Sequence, residues 1–189
     1  MFVMGIDPGL SRCGYGIVEP SPGTTSSGLR AVAAGVITTP VTSSTPHRLA
    51  ALGRELRTLL DEYRPGVVAV ERVLFQTNAR TAMGVGQASG LALAAAADLG
   101  AEVVEYSPNE VKMAVTGYGA ATKGQVQSMV QTILALEVLP RPADMADALA
   151  LAICHLGRAP LARRAALAEA GWRERRLDMT SIGPEGRPA

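Results

Sequence analysis

The chain is poor in cysteine and has no long apolar run. Among its 189 residues it holds two cysteines, Cys13 and Cys154. That is too few for a disulfide scaffold or a cysteine-based zinc site, and it fits a reducing cytoplasm. No apolar stretch reaches the roughly 18 residues that a transmembrane helix needs, and the N-terminus lacks the basic segment and cleavage site of a signal peptide. We therefore expect a cytoplasmic protein without membrane spans.

Excess charge of either sign is also missing. The formal net charge is +1, which excludes a uniformly basic coat for nucleic acid but not binding of a polyanion through local patches. Residues 1–157 carry 11 basic and 13 acidic side chains, whereas residues 158–189 carry seven arginines and four acids. With 48% hydrophobic residues, we expect one folded domain over 1–157 and a basic, partly mobile extension over 158–189.

Hydrophobic periodicity predicts a mixed α/β architecture in the order β-β-β-α-β-α-β-α-α-α. Three consecutive strands favour an antiparallel meander, and strands separated by helices favour parallel pairing through crossovers. The result is a mixed sheet with helices on both faces. The strands are expected at Val3–Ile6, Cys13–Val18, Ala31–Thr38, Val67–Val70 and Glu102–Tyr106. The five helices of this order are expected at Thr45–Tyr63 with Thr45 as N-cap, Asn78–Leu99, Asn109–Val115, Lys123–Leu136 with Thr122 as cap, and Ala143–Gly157. A further helix is expected in the extension, over Pro160–Arg176.

Four carboxylates stand at positions that a folded chain can bring together. Asp7 and Glu71 each end an apolar run, and Asp144 and Asp147 are three residues apart in a strongly helical stretch, so the last two share a helix face. Such a cluster repels itself unless cations neutralise it. Because oxygen-only ligands suit Mg²⁺ or Mn²⁺, the pattern indicates metal-assisted phosphoryl chemistry.

Each acid also has an ordinary explanation. Asp7 precedes Pro8 and Gly9 and could simply open a hairpin turn. Glu71 could be a strand-end acid at the surface. Asp144 would be favoured by the helix dipole in a first turn, an explanation that fits Asp147 less well.

Basic and aromatic residues near these acids are candidates for contact with a nucleic acid. Lysine occurs only at Lys112 and Lys123, which flank a glycine-containing segment and could hold a phosphate backbone. Phe75 follows Glu71 closely and could stack on a base, although packing in the core is as good an explanation. His155 lies eleven residues after Asp144, about 16 Å along a helix, so we interpret it as structural.

These segments together resemble the RuvC family of Holliday-junction resolvases over about residues 1–157. Each matching block alone is weak evidence for the family, but the order and spacing of the blocks together are specific to it. The matching blocks are Gly5–Gly9, Gly14–Gly16, Ala69–Val73, Asn78, Gly86–Ala88, Val111–Lys112, Gly117–Lys123, Gln125–Gln127, Met129–Val130, Ala143–Ala150 and Ile153–His155.

The resemblance implies a ribonuclease H-like fold and a homodimer that cuts four-way DNA junctions by symmetric paired nicks in recombination and repair. It implies that the four acids bind two Mg²⁺ ions, for which Mn²⁺ could substitute, and that hydrolysis leaves 5′-phosphate and 3′-hydroxyl ends. It also implies a partnership with the RuvA–RuvB branch-migration complex. The expected catalytic metal ligands are Asp7, Glu71, Asp144 and Asp147, and the expected DNA contacts are Lys112, Lys123, Phe75, Arg72, Asn78 and Arg80.

The chain departs from the family pattern at two positions. Ser89 stands where the family usually has an arginine, and Leu74 stands where an aromatic residue is expected, with Phe75 next to it. Other hypotheses are a pre-ribosomal-RNA nuclease of the same fold, a sugar-kinase-like phosphate-binding protein and a non-catalytic junction-binding module. The alanine-rich Asp144–Asp147 block disfavours the first, no second phosphate loop supports the second, and the intact acid set argues against the third.

Overall fold

In a computed structural model, residues 1–23, 25–73 and 79–158 are described. They form five strands and five helices in the predicted order. The strands are β1 (Val3–Asp7), β2 (Arg12–Pro20), β3 (Leu29–Thr38), β4 (Val67–Glu71) and β5 (Glu102–Tyr106). The helices are α1 (Thr45–Tyr63), α2 (Ala79–Asp98), α3 (Pro108–Thr116), α4 (Lys123–Ile133) and α5, which covers 143–158 up to the end of the described residues.

The strands make one mixed sheet in the order β3-β2-β1-β4-β5. Strands β1, β2 and β3 pair antiparallel, and β1-β4 and β4-β5 pair parallel. The predicted meander followed by parallel crossovers is therefore confirmed. Strands β1 and β4 lie in the middle, and both read as continuous apolar runs because both of their faces are covered.

Alternation along the central strands divides the core into two layers. Val3 and Val67 pack with residues of α3, α4 and α5, whereas their neighbours Met4 and Val68 pack with residues of α1 and α2. Successive side chains of a strand point to opposite faces, so the odd-numbered positions of β1 and β4 face α5. That alternation carries to the strand ends, where Asp7 and Glu71 occupy the same face.

Several predicted boundaries were wrong by a few residues. Ser44 rather than Thr45 occupies the N-cap position of α1, although its side chain makes no capping hydrogen bond. Strand β3 begins at Leu29, two residues earlier than predicted, because its pairing with β2 continues to Pro20. Helix α4 ends at Ile133 rather than Leu136: Ala135 has a φ of 49°, and the chain turns as the Leu136 N–H donates to the Gln131 carbonyl.

Helix caps explain why α3 and α4 begin where they do. Ser107 caps α3 through a hydrogen bond from the Glu110 N–H, and Thr122 caps α4 in the same way through Gln125, each in a reciprocal capping box. The predicted cap at Thr122 is thus confirmed. No helix among the described residues is long and apolar enough to cross a membrane. The predicted helix over Pro160–Arg176 lies outside the described residues, and the domain boundary after residue 157 stays a prediction.

Candidate active site

Two of the four predicted acids are brought together by parallel strand pairing. Strands β1 and β4 are neighbours in register, with Ile6 opposite Val70. The next residue of each strand is an acid, Asp7 on β1 and Glu71 on β4. Both therefore end at the carboxyl edge of the sheet, the edge where α/β proteins commonly place their sites, and both face α5.

Helix α5 reaches this edge because β1 and β2 carry glycine beneath it. A Cβ at Gly14 would lie 2.0 Å from the Asp144 carbonyl oxygen, and a Cβ at Gly5 would lie 1.9 Å from that of Ala148. Only glycine permits backbone approach this close. Since Gly14 is paired directly with Asp7, contact of Gly14 with α5 places the first turn of the helix beside Asp7.

The electrostatics of the four acids indicate that they interact. The pKa of Asp7 is raised to about 8, first by burial and then by the charges of Glu71, Asp147 and Asp144. Burial also raises the pKa of Glu71, opposed by a hydrogen bond between its side chain and that of Asp7. The pKa of Asp147 is raised by burial as well, opposed by Lys123. Asp7, Glu71 and Asp147 therefore hold protons more tightly than isolated carboxyl groups do.

Two cations meet the helix acids. Arg12, at the start of β2, places Nε 2.9 Å and Nη2 2.8 Å from Oδ2 of Asp144. Lys123, at the start of α4, places Nζ 3.5 Å from Oδ2 of Asp147, and that carboxylate raises the pKa of the lysine. The exposed fractions of the Arg12 and Lys123 side chains are 48% and 77%, so both cations are also open to a ligand.

The donor set fits a hard divalent cation. Four carboxylates converge at one edge, burial and mutual repulsion raise the pKa values of three of them, and such oxygen-only sets suit Mg²⁺ or Mn²⁺. Within the described residues, no three His, Cys, Asp or Glu side chains are already arranged around a common ion position. Asp144 and Asp147 instead each place Oδ2 against a cation, Arg12 and Lys123 respectively.

Comparison with known proteins gives the family. The family model described as crossover junction endodeoxyribonuclease RuvC matches residues 3–155. The chain belongs to the RuvC family. A RuvC of Nocardia farcinica is 49% identical over 189 residues, covering 100% of this chain and 98% of that protein. A RuvC of Rhodococcus opacus is 49% identical over 176 residues, covering 93% and 92% of the two chains.

Solved structures give the same result. The structure of Thermus thermophilus RuvC in complex with a Holliday junction substrate is 36% identical with a TM-score of 0.79, covering 86% of this chain and 96% of that one. The yeast mitochondrial Holliday junction resolvase, at 16% identity and a TM-score of 0.58, shares the fold. The ribonuclease H-like fold and the resemblance found from the sequence are both confirmed.

The predicted DNA contacts fall into two groups. Lys112 and Lys123 line a small cavity of about 100 Å³ together with Glu71 and Asp147, so both lysines lie at the acid cluster. Arg72 donates from Nη2 to the Glu105 carbonyl at 3.2 Å and lines an adjoining groove with Asp7 and Glu71. Phe75, Asn78 and the Arg80 side chain lie outside what the structure describes, as does Leu74. DNA contact by all six predicted residues stays a prediction.

The structure also shows the surroundings of two residues singled out from the sequence. His155 is buried, and its Nδ1 lies 3.0 Å from the Tyr106 hydroxyl, which agrees with a structural role. Ser89 is 5% exposed within α2, so its side chain is not offered to a ligand at the surface.

Sequence reasoning missed Arg12. The two residues of the Arg12–Asp144 ion pair are 132 positions apart, and nothing local in the sequence marks such a pair. A weak signal was available, because Arg12 follows the turn after Asp7 and opens the strand that pairs back along β1. Because β2 runs antiparallel to β1 directly after a short turn, its first residues lie near Asp7, the last residue of β1.

Proposed function

We propose that this chain is a metal-dependent endonuclease that resolves four-way DNA junctions by symmetric paired nicks. The observation that carries the proposal is the convergence of Asp7, Glu71, Asp144 and Asp147 at the carboxyl edge of a RuvC-family fold. We propose that these four acids are the metal ligands and that they hold two Mg²⁺ ions, with Mn²⁺ able to substitute. Bound there, the ions would supply an activated water and stabilise the departing oxygen.

The reaction is hydrolysis of a phosphodiester. A water oxygen forms a bond to phosphorus, the bond to the 3′ oxygen breaks, and that oxygen takes up a proton. The products are a 5′-phosphate and a 3′-hydroxyl, which a ligase can rejoin. Cleavage of two strands with the same chemistry is simplest in a two-fold homodimer, because the symmetry gives two equivalent sites. Light scattering of the purified chain should therefore give twice the mass of 19.6 kDa.

The chain's own cations prepare the cleft for a phosphate. Lys112 and Lys123 line the cavity beside Glu71 and Asp147, where a compact ammonium can neutralise a phosphate oxygen. Arg12 binds Oδ2 of Asp144 through two nitrogens and so limits the rotation of that carboxylate. Since Oδ1 is not part of this pair, Asp144 keeps one oxygen for an ion while Arg12 holds the other.

The test is nicking of a mobile four-way junction. We expect cleavage with Mg²⁺ and none in EDTA, strong preference over a linear duplex of the same sequence, and products that ligase seals. Equal cleavage of the linear duplex would contradict junction specificity, and cleavage in EDTA would contradict metal dependence. The pre-ribosomal-RNA alternative draws no support from the family match, and a structured RNA in the same assay gives the direct comparison.

We further propose that the enzyme works in the cytoplasm with the RuvA–RuvB complex, as the family resemblance implies, and that residues 158–189 add non-specific DNA affinity. The extension carries seven arginines and four acids. Removing it should leave folding, dimerisation and cutting intact and lower DNA affinity at low salt. Loss of dimeric, folded protein after truncation would contradict an accessory role.

A further inference from the structure

A second groove adjoins the acid cluster on the side of α1 and α2. It has a volume of about 370 Å³ and is lined by the β1–β2 turn, by Arg48 of α1 and by Val85 of α2. Val85 also lines the groove of about 310 Å³ that contains Asp7 and Glu71. The two grooves therefore meet at Val85 and along Pro8 and Gly9, and each is within the size range of ligand sites, roughly 300–1,000 Å³.

Arg48 is held in this groove by hydroxyl groups. Its Nε donates to Thr39 Oγ1 at 3.0 Å, and its Nη2 donates to Ser11 Oγ at 2.6 Å. Thr39 in turn donates to the Leu10 carbonyl, so the hydroxyl that orders the guanidinium is itself fixed by the β1–β2 turn. Among the described residues, no carboxylate pairs with Arg48. An ordered guanidinium that no carboxylate neutralises, and whose Nη1 takes part in neither of these hydrogen bonds, is suited to an anion.

The position of Arg48 relates it to the reaction. Ser11, its hydroxyl partner, is next in sequence to Arg12, and Arg12 holds Asp144. The guanidinium thus lies one side chain beyond the acid cluster, along the groove that continues from Asp7. A DNA strand with its scissile phosphate at the acids would carry its neighbouring phosphates along such a groove.

We infer that Arg48 and the β1–β2 turn form a binding subsite for a phosphodiester of the substrate strand, next to the phosphate that is cut. The subsite rests on the proposed nuclease function and deepens it. Arg48 touches none of the reacting atoms, so it is a positioning residue. It should contribute to the affinity for DNA and to KM, with little effect on kcat.

The test compares Arg48→Gln with Arg54→Gln. Both changes remove one arginine charge from α1, but Arg54 is an exposed residue outside the groove. Binding of a four-way junction is measured by fluorescence anisotropy in EDTA across a series of salt concentrations. We expect Arg48→Gln to weaken binding several-fold and to reduce the slope of log K against log salt by about 0.9, the value for one phosphate contact. Arg54→Gln should leave the slope unchanged.

A second measurement locates the contact. Single methylphosphonate substitutions neutralise one phosphate at a time along the strand that is cut. For the wild type, one substitution adjacent to the scissile position should weaken binding, and for Arg48→Gln that same substitution should have no further effect. An unchanged slope, or a methylphosphonate profile identical to that of the wild type, would overturn the subsite while leaving the nuclease function standing. Failure of the wild type to prefer the junction over a linear duplex would overturn both.

The melting temperature of Arg48→Gln reports whether this variant folds. If it does not fold, two further variants test the inference. Arg48→Lys keeps the charge but loses the planar fork, and Ser11→Ala removes one of the two hydroxyls that order the guanidinium. Each should retain the wild-type salt slope and bind the junction more weakly. Wild-type affinity in both variants would contradict the subsite.

Discussion

The two faces of the sheet carry their helices in different ways. On one face, α1 packs through leucine side chains, with Leu52, Leu56 and Leu60 buried against the strands. On the other face, α5 also buries leucines, Leu149 and Leu151, but its backbone in addition lies directly against Gly5 and Gly14. Leucine packing tolerates small shifts because side chains can adjust, whereas a backbone carbonyl packed against glycine has no side chain between the two elements to adjust. The face that carries Asp144 and Asp147 is the one with this added backbone contact.

The largest effects should follow from the acids on the α5 face. Cleavage should be abolished by each of four substitutions: Asp7→Asn, Glu71→Gln, Asp144→Asn and Asp147→Asn. The loss of rate should exceed the roughly 10–100-fold that follows when only an outer partner of a metal ligand is removed. Junction binding should survive, because removing a carboxylate reduces repulsion of phosphate. Nicking and anisotropy measurements on the same preparations check both parts. Near-normal nicking by any one variant would remove that residue from the site.

The contrast between the faces is sharpest in a pair of core substitutions. Gly14→Ala places a methyl group against the Asp144 carbonyl and should displace α5, at a cost of about 1–3 kcal/mol in the free energy of unfolding but about 100-fold in cleavage rate, as for a 1 Å misplacement. Leu56→Ala on the other face should cost about 2–5 kcal/mol, with cleavage per folded molecule near that of the wild type.

Denaturant unfolding and single-turnover nicking of both variants test this contrast. If Leu56→Ala lost as much activity per folded molecule as Gly14→Ala, the two faces would not differ in the way proposed.

Smaller effects are expected from the lysines that border the acid cluster. Lys112→Ala and Lys123→Ala should each weaken junction binding and lower the salt slope by about 0.9, since each removes one phosphate contact. Glu105→Gln gives a control for a charge change at an exposed position on β5. Unchanged slopes and rates for both lysine variants would assign them to an ordinary solvated surface.

A further effect concerns the pH dependence of stability without metal. The pKa of Asp7 is about 8 in the folded chain and near 3.8 when unperturbed, so the folded state binds the proton more tightly. Stability should therefore fall as pH rises from about 4 to 8. Asp7→Asn should reduce this fall, as melting temperatures in EDTA would report. An identical pH profile for the wild type and the variant would contradict burial of Asp7 among the other acids.

Local patterns in the sequence predicted much of this molecule. Apolar runs that end in Asp7 and Glu71 marked the two central strands and their acids, and i, i+3 spacing placed Asp144 and Asp147 on one helix face. The sequence shows glycines in β1 and β2, but not why glycine is required there. The reason is contact with the backbone of α5, a helix that follows more than 120 positions later. For the same reason the Arg12–Asp144 pair and the groove at Arg48 could not be found locally, since each joins segments that only the tertiary fold brings together.

The most direct test of the site is isothermal titration calorimetry, in which Mn²⁺ is titrated into metal-free protein and the affinity and the number of bound ions are measured. It compares the wild type with Glu71→Gln on the strand side and Asp147→Asn on the helix side of the cluster, with Glu105→Gln as the control. We expect two ions per wild-type protomer, a marked loss of affinity in both acid variants, and no loss in the control. Wild-type affinity and stoichiometry in Asp147→Asn would contradict a single site formed by the sheet edge and α5 together.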